Sequence, residues 1–397
     1  MAYQEVTKTS YGSRLGNSLK GIVTGLVLFV AATALLWWNE DRAVKTSKML
    51  KSAAAECVDV ADVSSVDPGL NGKMIHATAV AKTDEILTDP EYGVSVNAIR
   101  LVRRVEYYQW VEHSSSETKD KIGGGQETVT TYTYSKEWVS SPVNSADFHD
   151  PDYQGANSVR LKVDDAVESA GKVSFGGYVL PQSLSSQIPE SSQVNLPESL
   201  GNGVDCFVFG NVLYYGDPQS QAVGDVRVTF TQADGGEASI LSKVVNNTFE
   251  PYKHKNGKSL NVLTMGVKSM DDMFETEKAN NQFILWLLRI VGILLVIAAL
   301  RSMFSIVVTI LKVLPPLAAV GALGVNLVTG VVGFIWSLLV ILIAWVAYRP
   351  VLAIVLALAI AALVYFLITK AKAAPAPAPA PEAAAAAPAE APKTDAE

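Results

Sequence analysis

Histidine and cysteine are scarce in this chain, with four and two among 397 residues. His76, His113, His149 and His254 form no HExxH or HxH pattern, so the usual zinc spacing is absent. His149 lies in the string DFHDPD with Asp147, Asp150 and Asp152. Those oxygens suit calcium, but the EF-hand spacing and its glycine are lacking, and a solvated acidic loop is the plainer reading. Cys57 and Cys206 make no CxxC motif, and their pairing is not legible from spacing. An excess of positive charge is missing too. The 32 basic and 39 acidic residues give a net charge of −7, which leaves no basic stripe for nucleic acid. There is no G-x-S-x-G elbow and no P-loop, because Gly123–Gly125 is not followed by Lys and Ser or Thr. No catalytic, cofactor-binding or metal residue stands out, and the chain reads as a non-enzyme without cofactor.

Residues 39–282 also lack long apolar runs; these are confined to the two ends of the chain. The first covers 21–38 and carries no charge. At 1.5 Å per residue it spans about 27 Å, close to the core of a bilayer. Trp37 and Trp38 close it as an interfacial belt, in place of a signal-peptide cleavage site. Residues 283–301, 323–348 and 351–369 read as three further spans. Residues 302–322 are apolar but hold Lys312 and the pair Pro315–Pro316. Adjacent prolines break a spanning helix, so this stretch reads as an interfacial or re-entrant segment.

Charge then sets the sides. Lys8, Arg14 and Lys20 precede the first span, Arg301 and Lys312 follow the second, and Lys370 and Lys372 follow the fourth. Four spans put all three groups on one face, as the positive-inside rule requires. Residues 1–20 are then a cytoplasmic N-terminus and 39–282 an extracytoplasmic domain. The Ala/Pro-rich residues 370–397 form a disordered cytoplasmic tail with no core of their own. The fold class is an α+β membrane protein, with four transmembrane helices and a large β-rich domain inserted between the first and second.

Within that domain, Ile99–Glu112 and Glu127–Ser140 read as two strands joined by an exposed loop with three glycines. Tyr132, Tyr134 and Trp138 share one face of the return strand. Arg289 is the one charge well inside a span, which makes it a functional candidate. Snorkelling to the outer interface explains it most cheaply, with Asn326 as the alternative partner.

Several strings go beyond composition. They are NEDRAVKT with Asn39, Glu40, Arg42 and Lys45; DPEYG with Asp89, Pro90, Tyr92 and Gly93; and YQW with Tyr108, Gln109 and Trp110. GDVRVTF follows with Gly224, Asp225 and Arg227, and WVAYRP with Tyr348, Arg349 and Pro350. In this order they resemble the transmembrane protein 43 (LUMA) family, over about residues 20–370. The resemblance implies four spans, a lumenal-side domain and no established catalytic residues. It implies a scaffold that self-associates and organises other membrane proteins, whose identity it leaves open. Read residue by residue, DPEYG has the makings of a tight turn. Arg100, Arg103 and Arg104 fit cross-strand pairs with Glu127 or Glu137. Glu40, Arg42 and Lys45 read as a stop-transfer cluster beside lipid head groups.

The expected function is therefore a non-enzymatic multi-pass scaffold that forms a homo-oligomer in contact with membrane lipid. The alternatives are a lipid- or ligand-binding sensor and, further off, a transporter or channel. The Ala/Pro tail points to a bacterial member, in the inner membrane with its domain in the periplasm. An endoplasmic-reticulum or inner nuclear membrane setting, with a lumenal domain, is the alternative.

Overall fold

A computed structural model describes residues 3–201 and 206–349, together with Ile354, Leu358, Ala362 and Tyr365. Its first compact unit runs through Trp345 and holds every contact described below. Three long helices organise it: α1 (Tyr11–Glu56), α2 (Met270–Leu311) and α3 (Pro315–Tyr348). Each is long and apolar enough to cross a membrane. Ser10 caps α1 by accepting from the Ser13 amide at 3.2 Å. Ser269 caps α2 in the same way, and Asp271 and Asp272 sit in its first turn, where the helix dipole favours negative charge.

The apolar runs 21–38, 283–301 and 323–348 fall inside these helices, but the helices are longer. At 46 residues α1 is about 69 Å long, more than twice a bilayer core. Residues 302–322 differ from expectation. They are the last turns of α2, a turn around Lys312–Leu314, and the first turns of α3. Pro315–Pro316 opens a helix, where the missing amide hydrogens have no intrahelical partner to lose. Of the expected fourth span, 351–369, the structure describes Ile354, Leu358, Ala362 and Tyr365 alone; the rest of it and the tail lie outside the described residues.

Among the described residues the β domain holds two large sheets and two small two-stranded ones. The first has eight strands and contains, in spatial order, β1 (Tyr3–Thr9), β4 (Gln126–Val139), β3 (Arg100–Asp120), β7 (Val226–Ala233), β6 (Val212–Tyr215) and β5 (Cys206–Phe209). Ser192–Gln193 and Ala166–Ser169 pair at its flanks. In the second, of seven strands, Gly236–Val245, Thr248–Glu250, Tyr178–Leu180, Val173–Phe175 and β2 (Met74–Lys82) pair in a closed circuit, with Val262–Met265 and Val58–Val60 as its outer strands. Phe175, Tyr178, Ile240, Val244 and Phe249 belong to its buried core. Gly176 makes the turn between two of these strands at φ +58°, and a Cβ there would lie 2.2 Å from the Val63 carbonyl oxygen.

Two sequence expectations fail here. The glycine-rich join is shorter than expected: β3 and β4 pair residue for residue out to Asp120 and Gln126. The hairpin is a long ribbon with a five-residue turn. Secondly, residues 1–20, read as a terminus apart from the domain, contribute a strand to one of its sheets. A seven-residue ladder joins Tyr3–Thr9 to Gln126–Tyr132, so the N-terminus and the outer half of the hairpin are neighbours. Hydropathy and loop charge carry no signal for such a ladder.

Candidate functional site

The polar seam between α1 and α2 gathers the NEDR string and the intramembrane arginine. Glu40 is fully buried, two residues beyond the apolar run. Arg289 meets it from α2, with Nη2 at 2.6 Å and Nε at 2.7 Å from the same carboxylate oxygen. The guanidinium also lies over the Trp286 ring, 4.8 Å from its centroid. The partner of Arg289 is therefore Glu40 and not Asn326. The sequence hid this because the two stand 249 residues apart and Glu40 follows a hydrophobic stop.

The same seam continues for another turn. Asn39 donates to the Leu285 carbonyl at 2.9 Å, and its own oxygen accepts from Arg42. Arg42 donates to Asn281 at 3.0 Å, and Asn281 donates to the Ala43 carbonyl. Lys45 pairs with Asp41 on the helix surface, and its carbonyl accepts from Asn256 of the domain. Small residues let the helices close on either side. A Cβ at Gly25 would lie 2.8 Å from the Ala299 carbonyl oxygen, and one at Gly292 would strike Leu36.

The other motif strings lie in the domain. Asp89 accepts from the amides of Glu91 and Tyr92, and Gly93 donates back to its carbonyl, so DPEYG is the expected tight turn. Arg103 meets both Asp89 oxygens at 2.9 and 3.0 Å in a buried pair, and also reaches Glu91. The expected pairing with Glu127 or Glu137 is absent. Arg104 instead pairs with Glu190, and Arg100 donates to the Ser186 and Ile188 carbonyls. The pairing fails because those strand positions face loops and not the hairpin.

YQW and GDVR are brought together. Tyr108 and Gly224–Asp225 exchange backbone hydrogen bonds at 2.9 Å. Gln109, fully enclosed, bridges Ser158 and Val143. Trp110 meets Tyr153 edge-on and carries the Lys136 ammonium over its ring. Arg227 pairs with Glu106 and covers Trp138 at 4.4 Å, while Asp225 pairs with Arg160. Tyr348 ends α3 and Arg349 follows it; Pro350 lies outside the described residues.

No group of three or more metal-ligating side chains occurs among the described residues. His149 goes to Glu112 at 2.9 Å and stacks on Tyr132. Cys57 and Cys206 are separate free thiols, and burial beside Asp59 pushes Cys57 up to about 12. A pocket of about 610 Å³ lies where α2 leaves the domain, between Val262–Thr264 and Asp272–Thr276.

Four of these five strings, all but WVAYRP, tie separate segments together. The family model for transmembrane protein 43 matches residues 107–350. This chain belongs to the transmembrane protein 43 family. The mouse transmembrane protein 43 is 32% identical over 292 residues, covering 70% of this chain and 72% of its own length. The human protein is 29% identical over 356 residues, covering 87% and 88%. A Drosophila homologue is 31% identical over 289 residues, covering 68% and 73%. No solved structure matches the chain significantly. Family membership and the three apolar helices together make it a membrane protein.

Proposed function

We propose that this chain is a non-enzymatic membrane scaffold, which self-associates and holds other membrane proteins against its β domain. One observation carries the reading: α1 and α2 continue unbroken from their apolar stretches into the core of the domain. Met49, Leu50 and Ala53 of α1 and Met273 and Phe274 of α2 pack with Met74, Leu241, Tyr252 and Leu260. No flexible linker separates membrane from platform. Such a coupling fixes the height and tilt of the domain over the bilayer, which a positioning device requires and an enzyme on a tether does not.

The charge pattern of the loops supports a membrane orientation with the body of the domain on the extracytoplasmic side. Purification in mild detergent, followed by mass measurement, tests the proposal. An oligomer that retains bound membrane proteins is the expected result. A strictly monomeric particle at micromolar concentration, with nothing bound, overturns it.

A further inference from the structure

The helix pair and the β3–β4 ribbon share both their ends. At one end α1 and α2 enter the domain core, and the ribbon is rooted beside β7. At the other end the hairpin turn sits on the helices. Arg14 of α1, buried, pairs with Asp120 at 2.8 Å and donates to the carbonyls of Gly124 and Gly125. Lys312 also reaches Asp120, and the Gly123 amide donates to the Val313 carbonyl. The ribbon from Tyr107 to Asp120 covers about 43 Å. α1 from Leu50 back to Arg14 covers about 54 Å. Rods of such lengths, joined at both ends, run side by side. The apolar run 21–38 lies between those ends, so the ribbon passes at its level.

The two rods show opposite surfaces. Val23, Val27 and Val30 of α1 and Phe283 and Ile290 of α2 are exposed, as lipid-facing residues are. On β3, Ser114, Ser116 and Thr118 point to one face and Ser115, Glu117 and Lys119 to the other, and all six are exposed. The ribbon also has two bare edges. β1 ends the sheet, and beyond Tyr107 no described strand pairs with the outer side of β3. Hydrocarbon does not tolerate open sheet edges or a ribbon polar on both faces.

We propose that the cover is a second copy of this chain. The outer edge of β1 in one protomer pairs with the outer edge of Ser114–Asp120 in the next, and the ribbons close into a ring inside a ring of helices. This rests on the self-association proposed above and names the surface that performs it. Both β1 and β3 run antiparallel to β4, so they are parallel to each other. Rotation about the membrane normal keeps that direction, and the junction is a parallel one. Charge selects its register. Lys8 and Lys119 both stand opposite Glu127, at one level of the ribbon. An unstaggered junction therefore puts two lysines side by side. A two-residue stagger, of the kind that closing a sheet requires, places Lys8 beside Glu117 of the next copy.

The test is oxidative cross-linking of the full-length chain in its native membrane. The double variant Lys8→Cys/Glu117→Cys is compared with the unaltered chain, whose only thiols are Cys57 and Cys206. Strand β4 separates the two positions within one protomer, so a bridge between them joins two copies. Both sites are exposed, and an unchanged melting temperature confirms that the variant folds. A ladder of cross-linked species ending at one closed size is the expected result. An oligomer by mass that yields no cross-link, or dimers alone, overturns the ribbon junction and leaves the scaffold reading standing. A monomer by mass that yields no cross-link overturns both. Cross-linking to a different protein assigns the edge to that partner and overturns the ring.

Discussion

The helix pair and the ribbon cover the same distance by different physics. α1 and α2 seal against each other with small residues, a buried ion pair and an asparagine–arginine chain. The ribbon is anchored at its root and its tip and paired with β1 along its outer half, and Ser114–Lys119 of β3 are exposed on both faces. One rod hides polar groups in its seam and leaves apolar side chains on its outer surface. The other leaves a run of polar strand residues bare. A rod of the first kind is stable alone in a bilayer, and a rod of the second kind is stable only in contact with water or more protein.

The largest expected effect comes from orphaning the buried charge in the helix pair. Arg289→Leu removes the ion-pair partner of the buried Glu40, at a cost of about 3–5 kcal/mol. The melting temperature of the detergent-solubilised protein should fall steeply. The double variant Glu40→Gln/Arg289→Leu should recover more than half of that loss, since no bare charge remains. If the double variant melts no higher than the single one, the pair is not what holds this level of the seam.

The second effect strikes the tip, where the rods meet. Arg14→Ala removes a pair to Asp120 and two hydrogen bonds to glycine carbonyls. Hydrogen bonds from a charged donor contribute about 1.5–3 kcal/mol. Amide exchange should quicken in β1 and around Lys121–Gly125, with the helix seam unchanged. Equal quickening in both rods would mean that they unfold as one unit, and the contrast between them would collapse.

The third is Gly25→Ala. Its Cβ would lie 2.7 Å from Met303 Cγ and 2.8 Å from the Ala299 carbonyl oxygen. Overpacking costs about 1–3 kcal/mol. Better helix propensity returns about 1 kcal/mol. A net loss of about 0–2 kcal/mol follows by difference. Gly12→Ala, with nothing within 4 Å of its Cβ, serves as the control and should not destabilise.

The two rods were unequally legible in the sequence. Runs of apolar residues mark spans by length alone, so the helix pair was readable from Gly21–Trp38 and Phe283–Leu300. Its ion pair was not, because Glu40 falls outside the run and pairing over 249 residues leaves no local pattern. The hairpin was readable from its alternation and its glycines, and the DPEYG turn from its residue types. The ladder of β1 with β4 was not, since YQEVTKT has too few apolar residues to announce a strand. Arg103 and Arg104 were visible as basic strand residues, yet their partners lie on loops whose path only the fold defines. Family strings located the positions that matter, and the coordinates gave them their partners.

The smallest effect concerns the root of the ribbon, where it is part of an ordinary sheet. Glu190 accepts from the Thr231 hydroxyl of β7 at 2.6 Å and pairs with Arg104 of β3, so it ties together the two strands from which the ribbon grows. The Thr231 hydrogen bond, aided by Arg104, holds its carboxyl below the usual range. A depressed folded-state value means that the stabilisation is fully present above the unfolded value of about 4.3. It is lost as the pH falls through the lower, folded value. A partly exposed pair of this kind contributes about 0.2–1 kcal/mol. Amide exchange of β3 and β7, referenced to unfolding at each pH, should show this small loss of protection on acidification below about 4.3. Glu190→Gln should remove the pH dependence while costing little at neutral pH. The ribbon beyond Tyr107 should not respond, because its protection comes from its tip and its neighbours. An acid response that instead runs the whole length of β3 would show that the ribbon is continuous in energy with its root, and that its middle needs no second copy to hold it.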